Sequence, residues 1–274
     1  MDDPKPSLLQ RIARLAGLPP RTLLAVLGAV ALCAVLGAGY WAYTASVESR
    51  LLRADADALP GDVALMNFAR PRGESVFRDN CEQCHGPTGK GDPALGVPNL
   101  TDKDWLYGSG RVSEIRQTVA YGIRSHDGRG RDLAEMPAFS RPVPYDKEKL
   151  LPLTPSDVND VISFLLAGKA SGRMQGESPA DNAAAATRGG VIFRARGACW
   201  DCHGSDGLGD NAVGAPNLMD NVWLYGHGSR ADIFRAIAGG YQGVCPAWSG
   251  RLSPGRILEA SLYVYSLSRN GSSN

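Results

Sequence analysis

The chain has almost no surplus charge: 29 Lys and Arg stand against 28 Asp and Glu, leaving a formal net charge of +1 and a pI near 7.6. Neither a basic field of the kind that gathers nucleic acid nor an acidic one is present, so partners must be sought from local sites. No Ser-His-Asp set, phosphate loop or paired-carboxylate site stands out, which argues against catalysis at a separate side-chain site. A disulfide frame is missing too. Four of the six cysteines form two Cys-x-x-Cys pairs, each followed at once by His. The other two are Cys33, inside an apolar run, and Cys245, in the second half; they differ too much in setting to be partners. A length of 274 residues permits one large domain or two small ones. Gly 33 and Pro 18 together make about a fifth of the chain, above the rough one in eight of average usage, and predict short helices tied by many loops.

Charge is also absent from Leu23 to Tyr43, LLAVLGAVALCAVLGAGYWAY, a run of 21 residues. At about 1.5 Å rise per residue it matches the hydrocarbon thickness of a bilayer. Tyr40, Trp41 and Tyr43 gather at one end, as amphipathic rings do at the headgroup level. Lys5, Arg11, Arg14 and Arg21 precede the run and only Arg50 and Arg53 follow closely, which predicts a cytoplasmic N-terminus and a periplasmic remainder. A clean small-x-small cleavage site is lacking before Ser46, so the run reads as an anchor rather than a cleaved signal. Leu8, Leu9, Ile12, Leu15 and Ala16 recur at helical spacing and suit a short helix on the membrane face, or a floppy tail. Cys33 reads as a small apolar residue of the span.

The rest of the chain says nearly the same thing twice. CEQCHGPTGKGD and VPNLTDKDWLYGSG return as CWDCHGSDGLGD and APNLMDNVWLYGHG, with Cys81 and Cys199, Asn99 and Asn217, and Trp105 and Trp223 each 118 positions apart. Each copy opens with Gly-x-x-x-Phe-Arg, at Gly73 and Gly189, predicting a helix that delivers the cysteines. Val112, Ile115 and Val119, and again Ile233 and Ile237, predict a helix after each Trp-Leu-Tyr-Gly. Thr154-Pro155-Ser156 and Ser253-Pro254 introduce a closing helix in each copy, with apolar faces at Val158 to Leu166 and Ile257 to Leu267.

Cys-x-x-Cys-His lets two thiols add to the vinyl groups of a haem while the next residue's imidazole reaches the iron. Cys81, Cys84 and His85 form one set, and Cys199, Cys202 and His203 the other, predicting two covalently bound haem c groups. Zinc sites and redox dithiols do not call for a His directly after the second Cys, twice, at matched positions. Met136, in Glu-Met-Pro-Ala-Phe, is the candidate sixth ligand, and Pro137 keeps that segment extended without an amide hydrogen. The matching segment of the second copy, Val244-Cys245-Pro246-Ala247-Trp248, has Cys245 where Met is expected. A thiolate there would stabilise ferric iron and lower that haem's potential. His227, Met219 and His126 are its rivals, the two histidines reading as exposed loop residues. Trp105, Tyr107, Trp223, Tyr225 and Trp248 are read as aromatics packed near the porphyrins. Arg124, Arg129 and Arg235 are read as propionate partners or as solvated arginines.

One anchor, two Cys-x-x-Cys-His motifs, the PNL…WLYG segments, Tyr121-Gly122-Ile123-Arg124 and Met136-Pro137-Ala138-Phe139 together resemble the diheme subunit (CcoP/FixP) of cbb3-type cytochrome c oxidases, from about Leu59 onward. The resemblance implies an all-α fold, one N-terminal transmembrane helix followed by two tandem cytochrome c domains. The expected boundaries are a cytoplasmic segment 1–22, the span 23–43, a linker 44–70, domains 71–170 and 187–270, and a linker 171–186. It implies a non-catalytic electron-transfer subunit of the inner membrane. Its donor would be a cytochrome bc complex or soluble cytochrome c, and its acceptors the monohaem subunit and the haem-copper catalytic subunit. On the family pattern the haem roles fall on Cys81, Cys84, His85, Cys199, Cys202, His203 and Met136, Cys245 departs from the second Met, and sixth ligands can be assigned across the two domains. The competing readings are a stand-alone tethered diheme carrier and an enzyme resembling diheme thiosulfate dehydrogenases with a Cys-ligated haem.

Overall fold

A computed structural model describes residues 17, 19–145, 148–168 and 183–270. Most of the expected segment 1–22, with its helical pattern from Leu8 to Ala16, lies outside the described residues, and so does most of the expected linker 171–186. Two compact units divide after Arg53. The first contains α1 (Pro20–Arg53). The helix runs on ten residues beyond Tyr43, and it is long and apolar enough to cross a membrane. Tyr40 and Trp41 are exposed on its surface.

The second unit, from Ala54 on, is built of short helices. α2 (Val63–Asn80), capped where Asp62 accepts the Leu65 amide at 3.0 Å, leads into the one-turn α3 (Glu82–His85). α4 (Val112–Tyr121) follows the first Trp-Leu-Tyr-Gly, and α5 (Pro155–Gly168) closes the first copy. The second copy repeats the series as α6 (Ala183–Arg194), α7 (Trp200–His203), α8 (Arg230–Gly239) and α9 (Pro254–Asn270). Thr154 and Asp157 exchange hydrogen bonds at 2.8 and 3.2 Å, a capping box that starts α5 where the sequence predicts it. The chain is all-α apart from one small hairpin among the described residues. There β1 (Val143–Tyr145) pairs antiparallel with β2 (Glu148–Leu150), Val143 opposite Leu150.

The helices exchange partners between the copies. α9 packs on α2 and α4, and α5 packs on α6 and α8, so each closing helix completes the lobe opened by the other copy. The Gly-x-x-x-Phe motifs give the reason these crossings are tight. A Cβ on Gly73 would strike the backbone carbonyl of Glu259, and one on Gly189 that of Asp160. One turn on, Phe77 and Phe193 lie on the same helix faces and are fully buried, each worth roughly 1.5–3 kcal/mol of burial. Ion pairs flank both crossings: Arg72 to Glu259 at 3.0 Å, and Arg188 to Asp160 through two bonds at 2.7 and 2.8 Å. Phe77, Ile115, Tyr263 and Val264 form the core of one lobe. Val158, Val161, Ile162, Phe193, Ile233 and Ile237 belong to the core of the other.

Two candidate haem centres

Each Cys-x-x-Cys-His motif closes as a single helical turn. The His85 amide reaches the Cys81 carbonyl at 2.9 Å and the His203 amide that of Cys199 at 3.0 Å. Positions i, i+3 and i+4 of a turn share a face, so two sulfurs and an imidazole are presented together. Nδ1 of His85 lies 3.2 Å from the Pro98 carbonyl, and Nδ1 of His203 lies 3.0 Å from that of Pro216. A carbonyl only accepts, so each Nδ1 carries the hydrogen and each Nε2 keeps its lone pair for a metal. Burial pushes both imidazoles below their ordinary pKa against the opposing pull of these bonds, which keeps them neutral donors. Burial likewise pushes the Cys81 thiol up to about 11, helped by its neighbours Cys245 and Cys84, and the Cys199 thiol up to about 12. At neutral pH both are held as thiols.

Beside α7 a cavity of about 310 Å³ is lined by Cys199, Cys202, His203, Trp223, Met136 and Arg124. That is within the roughly 300–1,000 Å³ of small-molecule sites. Met136 thus shares a cavity with the cysteines of the second copy, and both it and Cys199 pack against the same core. Cys245 is on the other side of the exchange. Its thiol is close enough to Cys81 and Cys84 for ionisation of one to oppose that of another, and burial followed by Cys84 pushes it up to about 11. Two thiols, a neutral imidazole of fixed tautomer and a soft sulfur donor meet at each centre, a donor set that fits a covalently held haem.

Backbone pairing explains the crossing. Met136 and Tyr241 exchange amide-to-carbonyl bonds at 3.2 and 2.9 Å; Ile123 and Cys245 do so at 2.9 and 3.0 Å. The first-copy segment then continues along the end of α8, where Phe139 bonds Ile237, and the second-copy segment along the end of α4, where Trp248 bonds Ala120. Gly122 and Gly240 end α4 and α8 with φ of 75° and 67° and nearly extended ψ, a region almost closed to other residues. A side chain at Gly122 would meet the Cys245 carbonyl, and one at Gly240 the Met136 carbonyl.

The rival ligands fall elsewhere. His126 and His227 are exposed. Met219 packs against Gly207 and Gly168 in the core of the Cys199 lobe. Arg129 is engaged with Asp127 at 2.9 Å and Arg235 with Asp232, whereas Arg124 faces the cavity. Trp105 packs in the Cys81 lobe and Trp223 in the Cys199 lobe, as their matched positions predict. Sequence reading did not single out Tyr241 or Gly243 beside the donors. The repeat offset carried that signal only in part, since Tyr241 stands 118 positions after Ile123.

The Cytochrome c family matches residues 71–169. A cbb3-type cytochrome c oxidase subunit FixP of Azorhizobium caulinodans is 37% identical over 223 residues, covering 81% of this chain and 68% of the relative. The corresponding CcoP subunit of Cereibacter sphaeroides is 36% identical over 223 residues, covering 81% and 69%. The FixP of Bradyrhizobium diazoefficiens is 38% identical over 206 residues, covering 75% and 63%. Among solved structures, the Kuenenia stuttgartiensis reducing HAO-like protein complex is 22% identical, covering 72% of this chain and 95% of that chain, with a TM-score of 0.19, too loose a superposition to carry an argument.

Proposed function

The chain belongs to the CcoP/FixP family of cbb3-type cytochrome c oxidase subunits, and from that premise we propose that it carries electrons through two haem c groups whose sixth ligands are exchanged between the repeats. Cys81 and Cys84 would hold one haem through thioethers, with His85 and Cys245 as the candidate donors to its iron. Cys199 and Cys202 would hold the other, with His203 and Met136 as the candidate donors to its iron. When bound, the haems supply a one-electron couple each. The protein's residues set what those couples are worth: a thioether favours ferrous iron, a thiolate ferric iron. The two Pro carbonyls fix the imidazole tautomers, and the paired segments at Ile123 and Tyr241 fix the distal donors.

In this reading α1 is the anchor, with the N-terminus in the cytoplasm by its excess of Lys and Arg and both haem lobes in the periplasm. Electrons enter from a cytochrome bc complex or a soluble cytochrome c and leave to the monohaem and haem-copper subunits. The single observation that carries the proposal is the matched pair of histidines, half-buried His85 and buried His203, each with Nδ1 on a carbonyl 13 residues downstream and Nε2 left for iron. Mild-detergent purification tests it. The expected product has two haem masses per chain and co-purifies with a haem-copper subunit; one haem or none would overturn it. Cys245 beside Cys81 favours a second reading, a sulfur-oxidising enzyme with a Cys-ligated haem, and thiosulfate-dependent reduction of an artificial acceptor by the isolated chain would favour that one instead.

A further inference from the structure

Arg124 follows Ile123, the residue that pairs with Cys245, and its φ of 49° is uncommon for a residue with a side chain. Its Nε donates to the Gly243 carbonyl at 2.6 Å, and its Nη1 donates to the Ala134 carbonyl at 2.9 Å and reaches the Tyr107 hydroxyl at 3.4 Å. Gly243 stands two residues before Cys245, and Ala134 two residues before Met136. One guanidinium therefore grips both distal segments at equivalent points. The position 118 residues later in the repeat is Gln242, which is exposed, so the grip is made from one side of the pseudo-symmetry alone.

The same side chain lines the cavity with His203 and Met136. It is half-buried, and among the described residues no carboxylate pairs with it, in contrast to Arg129 and Arg235. A partly desolvated cation bonded only to neutral oxygens is costly until an anion joins it, and the planar fork suits a carboxylate. Resting on the two-haem reading above, we infer that Arg124 is a positioning residue shared by both distal sides, and that a propionate carboxylate of the haem held by Cys199 and Cys202 is the anion its charge meets. The distal geometries of the two haems are then coupled through one side chain.

The test compares Arg124→Gln and Arg124→Lys with the native full-length chain in detergent, reading haem mass, low-temperature EPR of the oxidised form and an EPR-monitored redox titration. In Arg124→Gln both low-spin signals shift together, and the midpoint of the Cys199 haem falls because an unpaired propionate favours ferric iron. Arg124→Lys restores that midpoint but leaves both signals shifted, since an ammonium lacks the fork that spans two carbonyls. Signals that stay native in Arg124→Gln, a shift confined to one haem, or an unmoved midpoint would overturn the inference. If Arg124→Gln fails to take up both haems, Arg124→Lys decides alone: two shifted signals with a native midpoint sustain the inference, and native or singly shifted signals remove it. A native chain without two haem masses would instead remove the two-haem reading itself.

Discussion

The Cys81 lobe and the Cys199 lobe use the same parts: a Gly-x-x-x-Phe helix, a one-turn Cys-x-x-Cys-His helix, a capped middle helix and a closing helix borrowed from the other copy. They differ in the borrowed donor, Cys245 in one and Met136 in the other. Because both sit on equivalent backbone ladders, beside equivalent glycines, the frame does not distinguish the lobes and the donor atom does. On the proposed ligand assignment, the repeat would keep its architecture while its two redox centres diverge through one residue.

The largest expected effect breaks the frame rather than the donor. Phe193→Ala should cost about 3–5 kcal/mol and release the distal signature of the Met136 haem first, while Phe77→Ala should act on the Cys245 haem. Thermal melts followed by EPR separate them, and a loss on the haem of the opposite lobe would contradict the exchange. Next comes the donor. Cys245→Met makes the lobes alike and should raise the midpoint of the Cys81 haem by well over 0.1 V, about 2.3 kcal/mol for one electron, within the roughly 0.8 V that axial ligands span. An unchanged titration would remove Cys245 as a ligand.

A smaller effect sharpens the ladder. Gly240→Ala forces a side chain into a backbone region that costs about 1–3 kcal/mol and pushes on the Met136 segment, and Gly122→Ala does the same to the Cys245 segment. Each should disturb one distal ligand and spare the other, as read by EPR.

The smallest effect concerns the caps of α4 and α8. Glu114 is raised by burial, but the Ser109 and Arg111 amides outweigh it and hold the carboxyl below its usual range. Asp232 is held further down by the His227 amide and the Ser229 hydroxyl. Depressed folded pKa values give stability that is present above the ordinary carboxylate pKa of about 4 and is lost as pH falls toward the folded value. Asp232→Asn should therefore lower the denaturation midpoint at pH 7 and lose that difference at acid pH, more so than Glu114→Gln. Equal deficits at both pH values would show that the ionised caps contribute nothing.

Sequence made the parts legible because each has a local cause. The Cys and His spacing, the caps at Thr154 and Ser253 and the apolar periodicities all act within one turn or one helix, and α2, α4, α5, α6, α8 and α9 lie where the sequence predicts a helix, whereas the single turns α3 and α7 were not foreseen. Partner choice was not legible. The face from Val158 to Leu166 announces that α5 is buried, not that α6 rather than α2 buries it, and the two closing helices carry equivalent signals. Gly73 and Gly189 could be seen as part of a helix, but their reason is a carbonyl on another helix. The β1–β2 hairpin was missed because three residues per strand give too short an alternation. Arg124 could be named with Arg129 and Arg235, yet its backbone turn and two carbonyl partners are tertiary facts.

The borrowed closing helix has a temporal side. Gly73 and the Glu259 carbonyl it accommodates are 186 positions apart, whereas Gly189 and Asp160 are separated by 29. Synthesis begins at the N-terminus and distant contacts form late, so the later-made lobe can shut while the earlier one still waits for α9. On the two-haem reading, Cys81 and Cys84 would then be the earlier pair to emerge and the later to be enclosed, with α9 the latch that completes their lobe.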